Sequence, residues 1–136
     1  MVHGCPEEKQ GTIDGPIDRD PHEPHRRIVT DEGYSALTFY KVVRSLHESS
    51  LVELQLGTGR THQIRVHMTS IGHPLIGDKM YQILETENSE VNEWIARQAL
   101  HAYELGFKHP LTGEDMIFRA PLPDDMEQLL SKLEKK

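Results

Sequence analysis

The feature that most constrains the fold lies in the middle of the chain, where one hydrophobic period gives way to another across a pair of glycines. Over residues 51–56, Val52, Leu54 and Leu56 alternate with Glu53 and Gln55. After Gly57-Thr58-Gly59, Ile64, Met68 and Ile71 recur at i, i+4 and i+7. A period of two followed by a helical period means a half-buried strand feeding a helix through a glycine turn. Thr61 is placed to cap a helix over residues 62–71, and Gly72 to end it at C′. Upstream, residues 36–46 are rich in β-formers (Thr38, Phe39, Tyr40, Val42, Val43), and His47-Glu48-Ser49-Ser50 reads as a turn. Residues 36–56 are therefore a β-hairpin with one apolar face.

The rest of the chain follows the same logic. Residues 12–17 read as a short strand, ended by a polar loop over 18–25 that contains Pro21 and Pro24. Val91, Trp94, Ile95 and Ala99 form the stripe of a second helix over residues 90–100. Alternation of His101, Tyr103, Leu105 and Phe107 predicts a strand, residues 109–114 a turn, and residues 116–120 its partner strand. After Pro121 and Pro123, Asp124 or Asp125 can cap a last helix faced by Met126, Leu129, Leu130 and Leu133, with Lys132, Lys135 and Lys136 suiting its dipole. The expected fold class is α+β: two hairpins in one mixed or mainly antiparallel sheet, with about three packed helices.

At 136 residues the chain is one domain's worth. No run approaches the roughly 20 apolar residues of a spanning helix, so no membrane partner is expected. Residues 1–10 lack the apolar stretch of a secretory signal. Cys5, the single cysteine, gives neither an internal disulfide nor metal-ligand spacing, and a cytoplasmic location is the expectation. The net charge of −7 would repel a polyanion at long range, but it is uneven. Residues 1–82 carry nine basic and eleven acidic groups, residues 83–136 six and eleven. A nucleic-acid site would have to be local and in the first two-thirds.

The densest functional patch is Gly57-Thr58-Gly59-Arg60-Thr61-His62-Gln63-Ile64-Arg65-Val66-His67. Donors from Arg60, Thr61, His62 and Gln63 converge near a helix N-terminus, which suits a phosphate or carboxylate. A glycine-turned connection with solvated basic residues accounts for the same pattern. Nine histidines invite a metal reading, but His-Glu-x-x-His is missing and His62 and His67 are five apart rather than four. No metal site is expected. Dinucleotide, P-loop and serine-nucleophile signatures are also absent.

The run from Leu54 to His67, followed by Ile71-Gly72-His73-Pro74-Leu75-Ile76-Gly77-Asp78 and Tyr81, closely resembles the RluA/RluD-type RNA pseudouridine synthases. So do Ile17 with Arg19-Asp20-Pro21, Ala36-x-Thr38-x-Tyr40, Ala99-Leu100-His101-Ala102, Phe107-x-His109-Pro110-x-Thr112-Gly113-Glu114 and Ala120-Pro121-Leu122-Pro123. The resemblance runs in order over nearly the whole chain.

It implies isomerisation of uridine to pseudouridine in ribosomal or transfer RNA, without metal or cofactor. In that chemistry an aspartate acts at the nucleotide, the uracil is detached, turned and rejoined through C5, and a tyrosine packs by the flipped base. Arg65 matches the arginine that pairs with the aspartate, and Ile64 the apolar wall of the base pocket. Arg60, Thr61, His62 and Gln63 are the candidate RNA-binding residues. The family's Arg-Leu-Asp-x-x-Thr-Ser-Gly segment has no counterpart in residues 1–136, and neither has its catalytic tyrosine. Asp18 and Asp20 belong to the separate Arg-Asp-Pro loop, and Tyr34 and Tyr40 do not replace the tyrosine. Residues 1–136 are thus expected to be the C-terminal portion of a catalytic domain, inactive alone and prone to self-association through a face left open. The rival expectation is a non-enzymatic RNA-binding or complementing fragment.

Overall fold

A computed structural model describes residues 1–102, 104–108, 111–113 and 115–134, with the side chains of 104–108 and 115–118 outside the description. The alternation expected of Tyr103, Leu105 and Phe107, and the roles of Lys135 and Lys136, lie beyond it. The described chain holds eight strands and two α-helices. The strands are β1 (Val2–His3), β2 (Gln10–Asp14), β3 (Ile17–Arg19), β4 (Arg27–Val29), β5 (Leu37–Leu46), β6 (Ser49–Leu56), β7 (Glu104–Lys108) and β8 (Asp115–Arg119). Helix α1 is Gln63–Ser70 and α2 is Asp124–Glu134.

The class is α+β, as expected, but the hairpins do not share a sheet. β5 and β6 sit in a four-stranded sheet of order β1-β6-β5-β2, while β3-β4 and β7-β8 are separate ribbons, all antiparallel. The predicted strand over 12–17 is two strands broken at Gly15-Pro16, since proline cannot donate to a ladder. Part of the expected 18–25 loop is likewise strand: Asp18 pairs with Ile28 and Arg19 with Arg27.

The inner sheet face packs Tyr40, Val52 and Leu54 against Val2, Ile13, Met68 and Leu75, with Ile64 from α1 at the edge. Helix α2 closes a second cluster, where Leu129, Leu133 and Met126 meet Met1, Ile76, Ile95 and Ala99. Ile17, Ala36, Val66 and Tyr81 form a third, beneath the functional patch. Helix α1 ends as predicted: Gly72 N–H donates to Thr69 O and His73 N–H to Met68 O, a Schellman closure with Gly72 in the left-handed region.

The expected helix over 90–100 is only a 3-10 turn, Glu90–Trp94. Long-range hydrogen bonds outbid its helical period. Asn92 accepts from His3 Nε2 at 2.7 Å and Gly77 N–H at 2.9 Å, and donates to Thr86 O at 2.8 Å. Ile95 then turns extended, which carries Ala99 N–H to Ile76 O at 2.9 Å and buries both Ile95 and Ala99 in the α2 cluster.

Candidate active site

The motif between β6 and α1 divides into side chains that build the turn and side chains that the turn presents. Thr58, Gln63 and His67 are builders. The buried Gln63 amide donates to Leu37 O (2.8 Å) and Thr38 Oγ1 (3.0 Å), and accepts from Thr58 Oγ1 (2.7 Å) and Arg60 N–H (3.0 Å). All four of its hydrogen-bonding positions are filled from within the chain. Gln63 is thus removed from the RNA-binding candidates, because no donor or acceptor is left for a ligand. His67, fully buried, meets Thr38 Oγ1 at 2.7 Å through Nδ1 and Gly15 O at 2.8 Å through Nε2. A carbonyl can only accept, so Nε2 carries the proton and Nδ1 accepts from the threonine hydroxyl. This chain of buried hydrogen bonds ties α1 to β5 and to the end of β2.

Thr61 does not cap α1. The cap position is His62, in the left-handed region at φ 56°, with no side-chain capping bond. Its imidazole reaches Tyr81 instead: Nδ1 lies 2.9 Å from the hydroxyl of that buried residue, and the two rings meet edge to face. That hydroxyl already accepts Arg27 N–H at 2.9 Å. The arrangement giving every donor an acceptor has Tyr81 donate to Nδ1, so His62 is neutral and presents Nε2–H. Burial lowers the His62 pKa below the ordinary histidine value, and the Arg65 and Arg27 charges lower it further. Arg60 and Thr61 are exposed. Arg60 Nε donates to Ser35 O at 2.8 Å.

Arg65 projects one turn into α1. Its guanidinium grips Asp78 in two parallel bonds, Nε to Oδ2 at 2.8 Å and Nη2 to Oδ1 at 3.0 Å. The Asp78 side chain is 0% exposed and that of Arg65 15%. Backbone N–H groups of Met80 (2.9 Å) and Tyr81 (3.0 Å) also donate to Oδ1. Burial alone would raise the Asp78 pKa, but these hydrogen bonds and the Arg65 charge hold it below the ordinary aspartate value. The Arg65 pKa is raised in turn, chiefly by the hydrogen bond to Asp78. In this chain, then, the carboxylate paired with Arg65 is Asp78. Gly77-Asp78 and Tyr81 belong to the resembling pattern, but their spacing alone assigns them no role.

The guanidinium carbons of Arg65 and Arg26 lie 4.9 and 5.0 Å from the Tyr81 ring centroid, within cation–π range. Beside them opens a cavity of about 500 Å³ lined by Arg65, Arg26, Lys79, Arg97 and His25, with Glu23 the one carboxylate on its wall. Three of these cations are paired: Arg65 with Asp78, Arg26 with Glu23 and Arg97 with Asp125. Ile64 faces the sheet cluster and is half-buried. Asp18 and Asp20 are spent on local turns: each accepts a nearby backbone N–H, from Arg19 and His22. Among the described residues no group of histidine, cysteine and carboxylate side chains is placed to hold a metal ion.

The RNA pseudouridylate synthase family model matches residues 1–70. An RNA pseudouridine synthase of Bacillus subtilis, YjbO, is 48% identical over 130 residues, covering 96% of this chain and 44% of the relative. Ribosomal large subunit pseudouridine synthase D of Nitrosomonas europaea is 44% identical over 128 residues, covering 93% of this chain and 37% of the relative. The chain thus spans about two-fifths of the length of these curated relatives. Among solved structures, human RNA pseudouridylate synthase domain containing 1 superposes with a TM-score of 0.72 at 26% identity, covering 99% of this chain and 63% of that one. Matched by the family over its first half and by such proteins over nearly all its length, the chain belongs to the RNA pseudouridylate synthase family.

Proposed function

We propose that this chain carries the arginine-bearing part of a pseudouridine synthase catalytic site, with the RNA-gripping surface beside it. The observation that carries the reading is the Arg65 guanidinium. Asp78 clamps one edge of it, while among the described residues nothing takes its Nη1, on a cavity walled by further cations. A fixed guanidinium keeps an incoming carboxylate ionised and oriented for work on a uridine flipped out of its RNA. That carboxylate comes with a segment outside residues 1–136, so the chain isomerises uridine only together with it. Arg60, Thr61 and His62 contact the RNA, and Ile64 contributes to the apolar wall. The reaction requires neither metal nor cofactor, and cytoplasmic ribosomal RNA is the favoured substrate, because relatives at 41–44% identity are named for the large ribosomal subunit.

Self-association is part of the proposal. No described strand runs beside residues 51–56 on the side away from β5, and Phe39, Val43 and Leu56 are exposed nearby. An unpaired edge with apolar neighbours invites a second copy.

The test is tritium release from 5-tritiated uridine in ribosomal RNA transcripts. The chain alone is compared with a chimera placing it behind the N-terminal portion of YjbO. No release alone and release by the chimera, lost on Arg65→Ala, is expected. Steady release by the chain alone would overturn the reading and direct attention to Asp18→Asn and Asp20→Asn.

A further inference from the structure

Away from the Arg65 cavity, one aromatic ring stands in solvent on a backbone that cannot move. Tyr34 is 66% exposed. Its backbone is locked to Ile17 in both directions, Ile17 N–H to Tyr34 O and Tyr34 N–H to Ile17 O, each at 2.9 Å. Gly33 makes that approach possible: a Cβ there would stand 2.7 Å from the Ile17 carbonyl carbon, closer than real contacts allow. An exposed tyrosine rooted this firmly loses little freedom when something stacks on it.

The second component comes from the motif turn. The Arg60 guanidinium carbon lies 5.7 Å from the Tyr34 ring centroid, and Arg60 Nε is anchored to Ser35 O at 2.8 Å. Anchoring Nε fixes the plane's position and leaves the two Nη groups for an outside acceptor. Ile17, the root of Tyr34, packs in one cluster with Tyr81, the ring under Arg65 and Arg26. Tyr34 is thus rooted on the cluster that carries the Tyr81 ring.

We propose that Tyr34 and Arg60 form a stacking platform for an unpaired nucleobase of the RNA. Aromatic rings and guanidinium planes are what single-stranded and loop nucleotides stack upon. Asp31 and Glu32 sit on the same turn and disfavour a phosphate there, which selects the neutral face of a base over the backbone. This inference rests on the RNA-binding reading above.

The experiment is fluorescence anisotropy of a short fluorescein-labelled oligouridylate titrated with the whole chain at several salt concentrations. Tyr34→Ala is expected to weaken binding about tenfold, in the range of a lost base–aromatic stack, with the salt slope unchanged. Tyr34→Phe and Tyr34→Trp are expected to bind like the parent. Arg60→Ala is expected to weaken binding, with the salt slope little changed. Circular dichroism of each variant confirms folding, which a side chain this exposed does not control. Equal binding by parent and Tyr34→Ala overturns the platform while leaving RNA binding intact, and an equal loss in Tyr34→Phe assigns the effect to the hydroxyl and overturns stacking. A parent chain that ignores the oligonucleotide overturns both this inference and the reading beneath it.

Discussion

Replacing Asp78 by asparagine separates the shape of the Arg65 clamp from its charge. The amide oxygen can still accept the Met80 and Tyr81 N–H groups that now meet Oδ1, so the local loop is kept. What changes is the other oxygen: an NH2 group faces Arg65 Nε, so that bond is lost, and the Nη2 bond to the kept oxygen no longer meets a carboxylate charge. Breaking one member of a buried pair costs about 3–5 kcal/mol because the surviving charge is stranded. Here Arg65 keeps 15% exposure beside an open cavity, so part of its hydration is recovered and the lower end applies, about 3 kcal/mol. With a urea slope of about 2 kcal/mol/M, the midpoint should fall by about 1.5 M. The assay is urea unfolding followed by fluorescence of Trp94, the single tryptophan, which packs against the α2 cluster. Arg65→Met with Asp78→Asn should recover part of the loss, since the stranded charge is then gone and the Met80 and Tyr81 N–H groups keep their acceptor. A midpoint shift below about 0.3 M for Asp78→Asn would refute the reasoning, because a well-hydrated Arg65 would then need no partner.

Three further outcomes follow from the packing and the titratable groups. Thr38→Val removes the hydroxyl shared by Gln63 and His67 inside a dry network, and should cost about 1–3 kcal/mol in the same urea assay. Leu129→Ala, at a fully buried position of α2, should cost about 3 kcal/mol and lower the thermal midpoint by about 10 °C or more. The third concerns pH. His62 and His3 both have lowered pKa values, with burial the largest cause, so the unfolded chain takes up protons near the ordinary histidine value while the folded chain resists. Stability should therefore fall as pH drops through about 6.5, and level off once the folded forms also titrate. Urea midpoints across that range check it, and His62→Gln should remove part of the slope.

What could be seen in the sequence was local. The alternation of Val52, Leu54 and Leu56, the i, i+4 spacing of Ile64 and Met68, Gly72 at its stop and the α2 stripe are each readable within one element, and the structure has them there. Most of the misreadings are cases where a distant partner decides. Residues 90–100 have a helical period, yet Asn92 is held by His3 and Gly77, so only the first turn winds. Gln63 looks like a ligand donor amid Arg60 and His62, but Thr38 lies 25 residues upstream and fills its amide. β3 and β4 were hidden by charge: a ribbon that pairs Arg19 with Arg27 has no apolar alternation to give it away. Asp78 stood in the quoted pattern, but nothing near it in the chain says that its cation is 13 residues away on a helix.

His62 carries a consequence for what its position has been kept for. A left-handed backbone costs a non-glycine residue about 1 kcal/mol, and histidine brings no side-chain cap in return. Glycine, or asparagine, would occupy the same φ with less strain. The chain nevertheless holds an imidazole there, hydrogen-bonded to Tyr81. Conformational economy and helix capping both argue against histidine at this site. What offsets that strain within the folded molecule is Tyr81, which meets the imidazole through a 2.9 Å hydrogen bond and an edge-to-face ring contact.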